Sequence, residues 1–222
     1  MPRHLQREID NLKKKLLVMS SIVEDMVYLA TKSVLNRDGR MAEEIITRDP
    51  EIDELEVEIE EECLKILALH QPVAIDLRFI IAVLKINSDL ERVGDLAVNI
   101  AERSIYLADQ KSVFFAEIIS EMATKVEKML SQSIDSLVNM DVSLAHKVRA
   151  ADDNIDELNR NMYAMVKEEL VAHPEDINSL LHTLSVGRHL ERMADHATNI
   201  AEDVVYLVDA EIVRHTPEVY NE

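Results

Sequence analysis

Apolar residues recur at helical spacing along the chain, and turn or cap residues break the pattern at 37–40, 69–72, 109–112, 139–141 and 172–174. The breaks delimit six predicted helices, near 3–36, 41–70, 73–108, 113–139, 142–172 and 175–209. At about 1.5 Å per residue, most would be roughly 40–55 Å long. Helices of that length bury their apolar faces by lying side by side, so the pattern predicts an all-α bundle. Pro50 interrupts the second stretch, either kinking that helix or restarting it with Asp49 as the cap.

The bundle is built from a repeat. Leu90–Glu102 (LERVGDLAVNIAE) recurs as Leu190–Glu202 (LERMADHATNIAE), and residues 89–107 and 189–207 are identical at eleven of nineteen positions, far above chance. Upstream the offset becomes 103: Asp38, Ala42, Asp49, Ile52, Asp53 and Leu55 answer to Asp141, Ala145, Asp152, Ile155, Asp156 and Leu158. Met19, Val23 and Met26 answer to Met122, Val126 and Met129 at the same offset. The expected architecture is therefore two pseudo-symmetric three-helix bundles, 1–110 and 111–222.

Composition supports this reading. Three glycines and five prolines in 222 residues leave few turns, and ten Met with no Trp suit helices better than a β-sandwich. Charge narrows the partners. With 43 acidic and 24 basic residues, the net charge of -19 repels nucleic-acid backbones and favours cations or basic protein surfaces. The first residues carry charge where a secretory leader needs an apolar core, and the longest apolar run, Phe79–Leu84, is too short to span a bilayer. The expectation is a soluble intracellular protein, with the lone Cys63 in its core.

The repeated helices carry a specific chemistry. Glu91, Asp95, Asn99 and Glu102 fall within about 80° on a helical wheel, while Val93, Ala97, Ile100 and Leu107 lie opposite. The polar stripe should face outward or along a groove, unlike the inward lining of a ferritin-like bundle. Glu191, Asp195, Asn199 and Glu202 repeat it, and the preceding helices supply Asp49 with Asp53 and Asp152 with Asp156. Asp49 and Asp95 are equidistant from Pro72, as are Asp53 and Glu91; the second set is centred on His173–Pro174. Antiparallel neighbours would thus bring four carboxylates level in each repeat.

Such groups repel one another unless a cation lies between them. Hard or borderline ions take oxygen ligands, so each quartet is a candidate site for one or several ions. Asn99 and Asn199 could add carbonyl oxygens, Glu102 and Glu202 outer ligands, and His196 a nitrogen where the first copy has Leu96. Glu56 and Glu60 continue the first stripe, but their counterparts are Asn159 and Tyr163, which suggests a solvated face. A carboxylate-bridged di-iron enzyme is disfavoured because neither copy contains Glu-x-x-His. A metal-free helical scaffold remains the other alternative.

DLERVGDLAVNIAERS and HLERMADHATNIAEDVVYL, with Asp49-x-x-x-Asp53 and Asp152-x-x-x-Asp156, resemble the signature helices of the PhoU family of phosphate-signalling regulators. The resemblance covers essentially the whole chain. It implies multinuclear clusters of divalent or trivalent metal ions at the acidic motifs, with iron or zinc foremost. It also implies a cytoplasmic, non-enzymatic negative regulator that acts with the ATPase of the phosphate ABC transporter and with a phosphate-sensing histidine kinase. Homodimers are implied as well, and membrane contact only through partners. Neither a Gly-rich loop nor a cluster of basic residues is evident in the sequence, so phosphate would be reached only through the metals.

Overall fold

The computed structural model describes residues 3–110 and 115–213. Among them are seven α-helices: α1 (Arg3–Asn36), α2 (Gly39–Ile46), α3 (Asp49–His70), α4 (Ile75–Ala108), α5 (Ala116–Asn139), α6 (Val142–Ala172) and α7 (Ile177–Asp209). A 3-10 turn, Pro174–Asp176, precedes α7. No strand occurs among the described residues. The all-α expectation holds.

The second predicted helix is divided. Asp38 caps α2, accepting from the backbone N–H groups of Arg40 and Met41 at 3.1 Å each. Its chain ends at Ile46, and α3 restarts at Asp49. Pro50 is therefore a restart and not a kink: in the first turn its missing N–H costs no intrahelical bond. Asp49 is the first helical residue and not the cap. Arg48 occupies the cap position without a side-chain hydrogen bond, and Asp49 with Glu51 places negative charge at the helix's positive end. The helix predicted from residue 113 begins at Ala116; residues 113 and 114 lie outside those described.

The repeat is visible in the packing. Met19, Val23 and Met26 of α1 and Met122, Val126 and Met129 of α5 are all buried, so matched positions form the same part of the core in both copies. In the first copy α1, α2 and α3 pack on α4; in the second α5 and α6 pack on α7. The most extensive contact joins the two copies, α4 against α7. It runs antiparallel, as three contacts show. Arg78 Nε donates to the Leu207 carbonyl at 3.1 Å, Lys85 pairs with Asp203 at 3.1 Å, and the rings of Tyr106 and His182 stack 4.0 Å apart. One continuous apolar core runs through both copies.

On the signature helices Val93, Ala97, Ile100 and Leu107 are fully buried, whereas Asp95 and Glu102 are exposed. The polar stripe faces outward. Among the described residues, no helix is long and apolar enough to cross a membrane.

Candidate metal centre

α3 and α4 are neighbours joined by the turn at 71–74, and α6 and α7 repeat the arrangement around His173. This hairpin geometry brings Asp49 and Asp53 to the level of Asp95 and Glu91. The electrostatics record the approach. Burial raises the Asp49 carboxyl above its usual value, and Asp53 and Asp95 raise it further. Asp95 is raised by burial and then by Asp53 across the helix pair. Glu91 is raised by burial, then by Asp95, Glu56 and Asp53, with Arg92 opposing.

The second quartet is more strongly coupled. Asp152 is pushed up to about 7 by burial, and after that by Asp195, Asp156, Asp153 and Glu191. Asp195 is raised by burial and Asp156, against His196 and Arg192. Glu191 is raised by burial, Asp195 and Asp156, against Arg188 and Arg192. Both groups of four carboxylates that the sequence matched are thus brought within one another's fields.

Glu56 belongs with the first quartet, contrary to the sequence reading that left it as solvated face. It is half-buried, raised by burial, Glu60 and Asp53, and it acts on Glu91 in turn. Its signal was present in the sequence: three residues beyond Asp53 and seven beyond Asp49, it shares their helix face. The mismatch with Asn159 hid it. The fifth carboxylate therefore differs between the centres, Glu56 in the first and Asp153 in the second.

The outer ligands fare differently. Asn99 Nδ2 donates to the Asp95 carbonyl at 2.8 Å, which leaves its own Oδ1 without a partner there. Asn199 Nδ2 is instead drawn towards Asp89 Oδ1, 3.4 Å away, and Glu202 pairs with Arg149 at 3.6 Å. Glu102 is exposed beside Arg103 at 3.9 Å. His196 is committed elsewhere, its Nδ1 donating to Asp89 Oδ1 at 2.8 Å in a buried pair. That nitrogen is taken by Asp89, while the His196 ring still acts on Asp195.

The donor set that remains is all oxygen and strongly negative, which fits hard or borderline cations. Among the described residues, the one group of three ligand atoms mutually within 4.8 Å is His173, Glu175 and Asp176, at the surface turn before α7. The quartets are more open than that, as mutual repulsion of their carboxylates requires.

Comparison with known proteins settles the lineage. The PhoU domain model matches twice, over residues 16–104 and 119–204. The chain belongs to the PhoU family. It is 40% identical over 211 residues to a phosphate-specific transport system accessory protein PhoU homolog of Aquifex aeolicus, covering 95% of this chain and 96% of that one. With the similarly named Pseudomonas aeruginosa protein it shares 34% identity, covering 94% of this chain and 86% of that one. The crystal structure of PhoU from Pseudomonas aeruginosa superposes with a TM-score of 0.91 at 33% identity, covering 93% of this chain and 99% of that one. The phosphate transport system regulatory protein PhoU from Streptococcus pneumoniae gives 0.84 at 31% identity, with 94% and 99% covered. The two family matches coincide with the two copies whose carboxylates pair, so each PhoU repeat carries its own acidic centre.

Proposed function

We propose that this PhoU-family chain is a metal-loaded adaptor that restrains phosphate uptake and holds phosphate-regulon signalling off when phosphate is plentiful. The observation that carries the reading is the occurrence of an outward carboxylate quartet at the same place in both repeats, with Asp49, Asp95, Asp152 and Asp195 raised by burial and by neighbouring carboxylates. A protein with no cation partner would gain nothing from repeating that repulsion. Asp49, Asp53, Glu91 and Asp95 would hold one centre, with Glu56 beside them and Asn99 as an outer ligand. Asp152, Asp156, Glu191 and Asp195 would hold the other.

Iron or zinc, as one or several ions per centre, would neutralise the quartets and draw the carboxylates together. That would fix the relative position of α3 with α4 and of α6 with α7. The result is a rigid surface of defined charge, suited to docking and not to catalysis. Its partners on this reading are the ATPase of the phosphate transporter and the phosphate-sensing kinase, met in the cytoplasm by a homodimer. The names of the relatives, accessory proteins of a phosphate-specific transport system, support the pathway.

The test is genetic. In a strain lacking the gene, a phosphate-regulated reporter should be expressed even in high phosphate; the wild-type chain should silence it, and Asp95→Asn with Asp195→Asn should not. An unaffected reporter in the deletion strain would refute the regulatory role. Full silencing by the double variant would refute the role of the metal centres.

A further inference from the structure

The two copies differ in how far their first helix reaches. At the repeat offset of 103, α1 and α5 end at matched residues, Asn36 and Asn139, but α1 begins at Arg3 and α5 only at Ala116, ten residues later in register. Those ten residues of α1 carry an apolar stripe, Leu5, Ile9 and Leu12, that is buried, and they run along α3, where Glu8 pairs with His70 at 2.6 Å. The counterpart of α3 is α6, and α5 gives it no such cover. Four residues, 111–114, separate Gln110 from Phe115, too few to supply a cover of that length. A groove of about 770 Å³ runs between the start of α5 and this part of α6.

The groove is apolar where the first copy is charged. Lys15 of α1 pairs with Glu58 of α3 at 3.0 Å; the matched residues are Ile118 and Asn161, and both line the groove. Glu62, which pairs with Lys65 at 3.1 Å, is matched by Met165, exposed on the groove wall. Leu158 and Ala164 complete the apolar surface. The charges around it are acidic in sum. Glu117 and Glu121 line it, and Glu157 stands beside Leu158. Lys125 pairs with Glu121 at 3.5 Å and Arg160 with Asp156 at 3.7 Å, while Lys167 and Glu168 cancel further along α6.

We propose that this groove is a docking site for a partner protein's amphipathic helix with basic flanks, which lies against α6 as the start of α1 lies against α3. An exposed apolar channel is stabilised by burying a partner's apolar stripe, and helix-in-groove recognition does so with residues three and four apart. Acidic walls on a chain of net charge -19 select basic residues beside that stripe and repel acidic competitors. A second copy of this chain is the poorer occupant, because its own matching stripe, Leu5, Ile9 and Leu12, is already buried. The site is separate from the metal centres and stands whether or not they are filled: the second quartet lies where α6 meets α7, the groove where α6 meets α5.

The start of α1 supplies a ligand for the test. Residues 3–16 (RHLQREIDNLKKKL) carry the apolar stripe with five basic and two acidic residues. As a fluorescein-labelled peptide titrated with the full chain and followed by anisotropy, this segment should bind with a Kd of about 100 μM or tighter. Met165→Asp should weaken binding about tenfold or more, and so should Glu117→Lys with Glu121→Lys; all three positions are exposed, so helicity should be retained. The peptide with Leu5→Ser, Ile9→Ser and Leu12→Ser should not bind. No binding of the unaltered peptide up to about 1 mM, the result if residues 214–222 filled the groove, would overturn the proposal. So would binding that survives Met165→Asp. A sedimentation shift from dimer to monomer on Met165→Asp would put a second copy in the groove and overturn it as well.

Discussion

His196 of α7 donates through Nδ1 to Asp89 of α4 at 2.8 Å, across the seam where the two repeats meet. Both side chains are nearly buried, and Asn199 adds a longer contact of 3.4 Å to the same Asp89 oxygen. The related positions are Leu96 and His189, so this bond breaks the internal symmetry and is made once. His196→Leu should leave Asp89 short of a donor and destabilise the fold by about 1–3 kcal/mol. Asp89→Leu in the same chain should recover most of that loss. Denaturant unfolding of the two single variants and the double variant measures the coupling.

Metal-free protein should be less stable at pH 8 than at pH 5. Asp152 titrates at about 7 in the folded chain against 3.8 for an ordinary carboxyl, so between those values the fold holds a proton that the unfolded chain has released. Its contribution is fully present below about pH 4 and is lost as pH rises through about 7. Asp49, Glu91, Asp95, Glu191 and Asp195 are raised as well and act in the same direction. Thermal unfolding in chelator should show Tm falling by roughly 2–4 °C for each kcal/mol lost. A divalent cation added at pH 8 should restore it.

Asp195→Asn should separate the effect of repulsion from the effect of metal. Asp195 raises both Asp152 and Glu191, so removing its charge should stabilise the chelated protein by about 0.5–1 kcal/mol. The same variant should lose stabilisation by added cation. Melting curves with and without metal check both signs.

The two helical glycines of the signature helices should respond oppositely to alanine. A Cβ at Gly94 would meet Ile52 Cγ2 at 3.5 Å, an ordinary contact, and the second copy already has a buried alanine there, Ala194. Gly94→Ala should stabilise by about 0.5–1 kcal/mol. At Gly187 a Cβ would fall on Met162 Sδ, with Cε at 3.1 Å, and Met162 is fully buried. Gly187→Ala should cost about 1–3 kcal/mol as Met162 is displaced. Chemical denaturation distinguishes the pair.

What the sequence revealed follows from locality. Helices and their repeat depend on residues three, four and a fixed offset apart, so α1, α4 and α7 were legible, as was the outward face of Asp95. The quartets were legible because a short turn makes distance along two antiparallel helices a guide to distance in space. The joint at Thr47–Arg48 was not, since Pro50 alone is compatible with a kink or a restart. The seam was hidden for a different reason. Asp89 meets His196, and Tyr106 stacks on His182, only after two copies pack against each other, and no period or spacing along the chain encodes that register.

The most direct test of the metal centres is elemental analysis of protein purified without chelator or affinity metal, comparing wild type with Asp95→Asn plus Asp195→Asn. The account predicts at least one ion per repeat in wild type and loss of both in the double variant, with helicity retained. Wild-type protein without stoichiometric metal, or equal metal in both proteins, would contradict it.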